Sequence, residues 1–273
     1  MQGARIATGF QTLVFSPAGL SHPALAIAAS RAGGLGVLDL EFETCHVRSV
    51  EQLELLASHA GHNGFAVRLG GFSVELQAAL VEQCAHGLSL VALAVEQLEQ
   101  WAGSVHDLRA AGVRVLLELS SSQTPEPALL EAIDGLILKG HEAAGFVGES
   151  SCFILAQHWR QHSDLPLYLR GGITPHTAAA AAVAGCAGVV LDSQILLLQE
   201  SPVASELFPH LRSLSGSETV AAGNGEFGCY CRVLLRPGFA TAKAFVAAAE
   251  SLTPAELRAR VLAEINWRDP AAG

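Results

Sequence analysis

The chain has 273 residues, half of them hydrophobic, so it can bury one large core in a single main domain. Its 26 acidic and 16 basic residues give a formal charge of -10, and a negative field repels a phosphate backbone or an anionic bilayer. Glycine and charged residues interrupt every apolar run well short of the roughly 20 residues that span a membrane. Nucleic acid and membranes are therefore not expected as partners.

The amino-terminal stretch Met1 to Ile6 lacks the apolar region of a signal peptide, so we expect a cytoplasmic protein. Six cysteines, at positions 45, 84, 152, 186, 229 and 231, are scattered in mostly apolar surroundings, which is typical of reduced, packed thiols. His59 and His62 have no cysteine or carboxylate partner in reach, and Cys229 and Cys231 are too closely spaced for a zinc knuckle. No metal site is expected.

Short apolar runs predict eight β-strands, separated by segments with helical spacing. The predicted strands are 6–15, 34–40, 65–69, 88–95, 113–119, 136–139, 167–170 and 189–192. The predicted helices are 23–32, 50–59, 74–84, 95–111, 126–132, 150–161 and 176–184. Strands and helices that alternate with a repeat of about 25 residues indicate a parallel sheet. We therefore predict an α/β fold, a (β/α)8 TIM barrel over residues 1–212, since such a barrel takes roughly 250 residues.

The remaining residues, 213–273, do not continue the alternation of predicted strands and helices, so they predict a short carboxyl-terminal extension of the barrel. Serine and glycine are frequent in its first part, which predicts an irregular excursion. Thr253 then predicts the cap of a final helix that runs to about Ile265. We expect this extension to pack on the barrel or to lead into a following domain.

Six of the eight predicted strands have a charged residue at their last or next-to-last position. These residues are Asp39, Arg68, Glu118, Lys139, Arg170 and Asp192. Because the carboxyl ends of barrel strands open at one mouth, where the active sites of this fold lie, we expect the six side chains to converge there. One interpretation is a ring of ion pairs that neutralise each other; the other is an anionic ligand held by Arg68, Lys139 and Arg170.

A glycine pair follows the seventh predicted strand and precedes an alanine-rich helix. The phosphate site that it predicts consists of Gly171, Gly172, Ile173, Asp192 and Ser193. Two glycines let backbone N–H groups approach a phosphate closely, and a phosphate site after strands seven and eight recurs in this fold. Asp192 would repel a phosphate dianion unless Arg170 or Lys139 neutralises its carboxylate.

Four glycine-containing motifs recur along the predicted barrel. They are Ala32-Gly-Gly-Leu-Gly36, Gly140-His-Glu-Ala-Ala-Gly145, Gly171-Gly-Ile173 and Gly185-Cys-Ala-Gly-Val-Val190. Together they resemble the FMN-dependent barrels that include nitronate monooxygenases (2-nitropropane dioxygenases) and the flavin type of enoyl-acyl-carrier-protein reductase. The resemblance covers about residues 5–200. The segment 139–149, with 191–194 and 218–220, is most similar to versions fused into polyketide or polyunsaturated fatty acid synthases.

The resemblance implies an FMN-dependent oxidoreductase domain of a synthase that acts on a carrier-bound acyl (enoyl) chain. Its partners would be an acyl carrier protein or neighbouring synthase domains, NAD(P)H is the candidate reductant, and a homodimer is a candidate assembly. The candidate cofactor-binding residues are Gly171, Gly172, Ile173, Arg170, Asp192, Ser193, Glu118 and Arg68.

The chain departs from the family's pattern at three places. Phe146 occupies the position of the usual catalytic histidine and cannot take a proton. The proline-methionine flavin contact is missing from residues 8–15, and the glycine-threonine pair after the eighth strand is replaced by Asp192 and Ser193. The candidate catalytic residues are therefore His141, Lys139 and Glu142, with His141 as the substitute acid or base.

Three functional hypotheses follow. The first is the FMN-dependent oxidoreductase. The second is a catalytically degenerate, flavin-free barrel that serves as a docking or scaffold domain, which Phe146 and Asp192 favour. The third is a flavin-independent lyase or aldolase-like enzyme in which Lys139 forms a Schiff base if its neighbours depress its pKa. An ion pair of Lys139 with Glu118 or Glu142 is the structural alternative to that role.

Overall fold

The computed structural model describes residues 9–43, 45–70, 74–83, 86–94, 102–123, 125–203, 205–235, 237–238 and 240–264. Eight parallel strands close into a barrel, which confirms the predicted (β/α)8 fold. Around the barrel they are β1 (Gln11–Phe15), β2 (Leu35–Leu40), β3 (Phe65–Leu69), β4 (Leu88–Leu93), β5 (Arg114–Leu119), β6 (Gly135–Lys139), β8 (Leu167–Arg170) and β9 (Gly188–Leu191). A further short strand, β7 (Gly145–Val147), lies outside the barrel.

The helices that follow the barrel strands agree with the predicted ones within a few residues. They are α1 (Ala24–Arg31), α2 (His46–His59), α3 (Val74–Gln83), α4 (Ala102–Ala110), α5 (Pro127–Glu131), α6 (Cys152–His162) and α7 (Pro175–Val183). The first part of the predicted helix 95–111 lies outside the described residues. Thr174 and Thr177 form a reciprocal capping box at the start of α7, with Pro175 in its first turn. None of the helices within the described ranges has the length and hydrophobicity needed to cross a membrane.

Side chains of the barrel strands alternate between the barrel interior and the surrounding helices, as the two-residue period of a strand requires. The interior cluster consists of Leu13, Phe15, Leu35, Val37, Ala66, Leu90, Ala92, Leu116, Ile137, Tyr168 and Val190. On β5 this alternation places Arg114, Leu116 and Glu118 inside, from the amino end to the carboxyl end. A charged residue at the end of a strand is therefore aimed into the barrel rather than towards the helices.

The carboxyl-terminal extension is not the irregular excursion that was predicted. After α8 (Phe208–Arg212), two strands, β10 (Thr219–Asn224) and β11 (Cys229–Leu234), form an antiparallel hairpin. Strand β11 also pairs with β7, so the hairpin is hydrogen-bonded to the connection between β6 and α6. The prediction failed because β10 consists mainly of small residues and the glycines lie in and around the hairpin turn, so the strands lack a clear alternating apolar pattern.

Two helices, α9 (Ala240–Ala249) and α10 (Pro254–Glu264), complete what we call the C-terminal cap, residues 219–264. Thr253 and Glu256 exchange backbone and side-chain hydrogen bonds at the start of α10, which confirms the predicted capping residue. The cap has a small core of its own, formed by Ala222, Cys231, Phe245, Ala249, Leu257 and Val261 with Phe42 and Phe146 packed against it. It therefore packs on the loops at the carboxyl end of the barrel. A domain boundary at residue 212 stays a prediction.

Candidate functional site

The charged side chains at the strand ends converge inside the carboxyl end of the barrel, as predicted. These side chains form a network with two halves, and Arg68 is at the centre of the first. Its Nη1 donates to Asp39 Oδ2 at 2.9 Å and also to a carboxylate oxygen of Glu41. Its Nη2 donates to Glu118 Oε1 at 2.6 Å. One guanidinium on β3 thus holds carboxylates from the ends of β2 and β5.

Arg170 is at the centre of the other half. Its Nη1 donates to the second oxygen of Glu118 at 2.6 Å, and its Nε donates to Asp192 Oδ2 at 2.9 Å. The guanidinium also lies over the ring of Phe15, 4.8 Å from the ring centroid. Lys139 Nζ lies 3.8 Å from Glu118 Oε1. Glu118 therefore joins the two halves into one network.

We call this network the charged ring: Asp39, Glu41, Arg68, Glu118, Lys139, Arg170 and Asp192. None of its side chains is more than 10% exposed. Arg258 of the C-terminal cap lies 3.7 Å from Glu41 Oε1, so four cations face four carboxylates. Such mutual neutralisation is what buried charges require.

The network changes the pKa of its members in the directions that these contacts dictate. Burial opposes ionisation of Glu118, yet Arg170, followed by Arg68 and Lys139, holds its pKa well below the ordinary value. The pKa of Asp192 is lowered as well, because Arg170 outweighs the effect of burial. Burial, and then the charge of Arg170, lowers the pKa of Lys139.

Replacing Glu118 by glutamine should make stability less sensitive to acid. The folded-state pKa of Glu118 is depressed, so its carboxylate contributes stability above the unfolded pKa of about 4.3, and this contribution is lost as the pH falls towards the folded value. Urea unfolding of the native protein and Glu118→Gln at pH values from 7 downwards measures the effect. The stability difference should shrink on acidification, whereas the Glu51→Gln control, at an exposed position, should cost little stability. A difference independent of pH would contradict the assignment.

The predicted phosphate niche is lined with carboxylates. Gly171 and Gly172 have φ angles of 123° and 57°, a backbone that favours glycine. A Cβ atom at Gly171 would lie 2.9 Å from Glu142 Cγ, so the side chain of Glu142 lies directly against this turn. The Ser193 N–H donates to Asp192 Oδ1 at 2.6 Å. Two carboxylates therefore border the predicted niche, and that of Asp192 occupies the Ser193 N–H donor.

Glu142 has a structural role in this turn. Its Oε1 accepts a hydrogen bond from the Cys152 N–H at 3.0 Å, at the first residue of α6. Its Oε2 is buried without a hydrogen-bond partner, although His141 Nδ1 lies 3.3 Å away. Ile173, the last residue of the predicted phosphate motif, points its side chain into the core between strands and helices.

The three candidate catalytic residues fall into two places. Lys139 belongs to the charged ring, where Glu118 rather than Glu142 is its carboxylate neighbour. His141 lies on the loop after β6 with 47% of its side chain exposed, and its carbonyl accepts a hydrogen bond from Arg232 Nε of the C-terminal cap. Whether any of them acts in catalysis stays a prediction.

Sequence reasoning missed three members of this region. Glu41 lies one residue beyond the end of β2, and its side chain turns back to Arg68. Phe15 lies beneath Arg170, a contact that the inward position of the last residue of β1 could have suggested. Arg258 comes from a helix far along the chain, and no local pattern connects it to Glu41.

Comparison with known proteins supports the fold. No family model matches the chain. A segment of 97 residues, 35% of the chain, is 32% identical to (3aS,4S,5R,7aS)-5-hydroxy-7a-methyl-1-oxo-octahydro-1H-indene-4-carboxyl-CoA dehydrogenase of Rhodococcus jostii. The match spans only 28% of the length of that curated relative.

Solved structures share the barrel over most of the chain. FabK from Thermotoga maritima superposes with a TM-score of 0.77 over 94% of this chain and 79% of its own, at 22% identity. Nitroalkane oxidase from Streptomyces ansochromogenes gives 0.69 over 93% and 86%, at 20% identity. The enoyl reductase domain of MlnA from Bacillus amyloliquefaciens gives 0.65 over 88% and 66%, at 14% identity. The chain thus has the same barrel fold as an enoyl reductase domain and a nitroalkane oxidase.

Proposed function

We propose that this chain is a barrel domain of enoyl reductase and nitronate monooxygenase ancestry that works without flavin, as a docking or scaffold domain of an acyl-chain synthase. The observation that carries the proposal is the charged ring, in which Arg68 and Arg170 are already neutralised by carboxylates of the chain itself. A bound anion would have to displace Glu118 or Asp192 from these guanidiniums. The exchange would contribute little binding free energy, because the bound anion would only replace a carboxylate that already pairs with the guanidinium.

The niche over Gly171 and Gly172 supports the same conclusion. An FMN phosphate placed there would meet the side chain of Glu142 and, at the neighbouring loop, the carboxylate of Asp192. Like charges in direct contact repel each other, and partial burial strengthens that repulsion. The residues present therefore do not fit FMN in this arrangement.

The packing of the C-terminal cap supports a structural role for the carboxyl end of the barrel. Phe146, at the position where the resembled family commonly has its histidine, packs against Phe42 with ring centroids 5.8 Å apart. The guanidinium of Arg258 lies 5.9 Å from the Phe42 centroid and 5.5 Å from that of Phe146. An aromatic side chain is useful here because it extends the apolar core of the cap, where a histidine would introduce a polar group.

The second candidate function is an FMN-dependent oxidoreductase that acts on a thioester-bound acyl chain. The similarity of one segment to a CoA-ester dehydrogenase and the barrel shared with enoyl reductases favour it. It requires Glu142 and Asp192 to leave the niche when the cofactor binds. A lyase that uses Lys139 is less well supported, because only 2% of that side chain is exposed to an incoming carbonyl compound.

Titration with FMN and with riboflavin, which lacks the phosphate, separates the two candidates. We expect the purified protein to show no visible flavin absorption and neither compound to undergo saturable fluorescence quenching, because carboxylates line the niche. Saturable binding of FMN but not of riboflavin would contradict the flavin-free proposal and support the oxidoreductase. The docking role is tested separately with an isotopically labelled acyl carrier protein of the synthase. Its resonances should shift when the barrel is added, and unchanged spectra with both the carrier and the adjoining domains would overturn that role.

A further inference from the structure

A cavity lies at the end of the barrel opposite the charged ring, where the strands begin. Its volume is about 670 Å³, within the range of small-molecule pockets. The start of β1, the turn between α1 and β2, and the first residues of β4 and β5 form its walls. The charged ring is at the other end of these strands, so the two regions are separated by the apolar interior of the barrel.

The main polar group of this cavity is the guanidinium of Arg114, which lies on the inward face of β5. Its Nη1 lies within hydrogen-bond distance of two neutral oxygens, Gln11 Oε1 at 3.2 Å and Tyr168 Oη at 3.5 Å. The Tyr168 hydroxyl itself donates to Gln11 Oε1 at 2.9 Å, so that oxygen already accepts from two donors. Burial raises the pKa of Tyr168, which keeps this phenol neutral near pH 7.

Arg114 differs in this respect from the other two guanidiniums inside the barrel. Arg68 and Arg170 each form ion pairs with carboxylates. Within the described ranges of the chain, no carboxylate comes within 4.0 Å of Arg114. Among the described residues, the cavity thus contains one positive charge, and the hydrogen-bond partners of that charge are neutral.

The remaining lining combines apolar and polar side chains. Phe10, Val14 and Leu35 contribute apolar side chains, and Ala29 and Ala32 leave space at the end of α1. Thr12, Asn63 and Ser89 are polar residues of this lining. The side chains of Asn63 and Ser89 donate to the backbone carbonyls of Gly33 and Phe65. A ligand with one anionic group and a short apolar body would match the guanidinium and the apolar part of this lining.

We infer that this cavity is a binding site for a small carboxylate with a short aliphatic body, whose head group pairs with Arg114 and whose chain lies against Val14 and Leu35. A single carboxylate matches the single uncompensated charge and the planar donor geometry of a guanidinium. The negative charge of the whole chain, -10, disfavours ligands of higher negative charge. The site is independent of the proposed docking function, since it uses no residue of the charged ring or the cap.

The probe for this site is hexanoate, with hexanamide as its uncharged counterpart, measured by calorimetric titration and by chemical shift perturbation of the labelled protein. We expect saturable hexanoate binding that Arg114→Gln weakens roughly tenfold or more, because a charge-assisted hydrogen bond is lost. Arg109→Gln is the matched control: this arginine is paired with Asp134 on the outer surface, and its loss should leave hexanoate affinity unchanged. Thermal unfolding of each variant verifies that it is folded.

A second variant tests the shape of the cavity and leaves the charge in place. Ala29→Leu should fill part of the volume and weaken hexanoate more than acetate, because only the longer chain needs that space. No saturable hexanoate binding at millimolar concentrations would overturn the inference. Equal hexanoate affinity in the native protein and in Arg114→Gln would also overturn it. So would either of two further results: inorganic phosphate binds more tightly than hexanoate, or hexanamide binds with the same affinity as hexanoate.

Discussion

Replacement of Arg68 by methionine should lower the free energy of unfolding by about 3–5 kcal/mol, the usual cost of breaking a buried ion pair by removing one partner. Three carboxylates, Asp39, Glu41 and Glu118, lose their shared cation in this variant. Methionine keeps an apolar chain of similar length, so the loss reports mainly on charge. Because the side chain of Arg68 is 1% exposed, water cannot take over the role of the guanidinium.

Urea unfolding followed by circular dichroism measures this loss, and Arg109→Met provides the control. Arg109 also pairs with a carboxylate, Asp134 at 3.0 Å, but its side chain is 39% exposed. We expect that pair to contribute about 0–1 kcal/mol. If Arg68→Met cost no more than Arg109→Met, the charged ring would not be a stabilising element, and its cations would instead be available for a ligand.

Leu257→Ala should open the C-terminal cap while leaving the barrel folded. Leu257 is 1% exposed in the small core that the cap forms with Phe42 and Phe146, and deleting such a side chain costs about 2–5 kcal/mol. That core is separate from the two clusters of the barrel, so we expect the loss to be local. Cys231 on β11 is buried in the same core, and burial raises its pKa to about 12.

Alkylation of Cys231, followed by mass spectrometry, reports on this opening. The reagent should modify Cys231 much faster in Leu257→Ala, whereas Cys186, which belongs to the barrel core, should stay protected. Leu262→Ala is the control, since Leu262 lies on the same helix with 37% of its surface exposed. Equal acceleration at Cys231 and Cys186 would mean that the cap and the barrel unfold together, and no acceleration would mean that Leu257 does not hold the cap closed.

The barrel could be predicted because its signals are local. Six of the eight strands are apolar runs with a charged residue at or beside their end, as in β3 and β6, and several of the helices that follow have a start signal, as α7 has. The two-residue period of a strand then places Arg68, Glu118 and Lys139 on the inner face without any knowledge of distant contacts. Even the convergence of the charged residues follows from the parallel arrangement of the strands.

The candidate site could be predicted only in part, because its chemistry depends on which side chains meet. Gly171 and Gly172 are the residue type of a phosphate-binding turn, and both have the positive φ angles that glycine adopts readily. Whether an oxyanion enters that turn depends on Glu142, which comes from the loop after a different strand. In the same way, the glycines of the extension indicated an irregular segment. The pairing of β11 with β7 could not be predicted, because it joins residues about 85 positions apart.

The amino-acid sequence by itself determined the architecture and the set of charges, since periodicity and strand ends are properties of neighbouring residues. Only the tertiary structure decided that Arg170 neutralises Asp192, that Glu142 covers the glycine turn and that Arg258 reaches Glu41 from the cap. The physical reason is that the strength of an electrostatic interaction depends on separation and burial, and both are set by contacts between residues far apart in the chain.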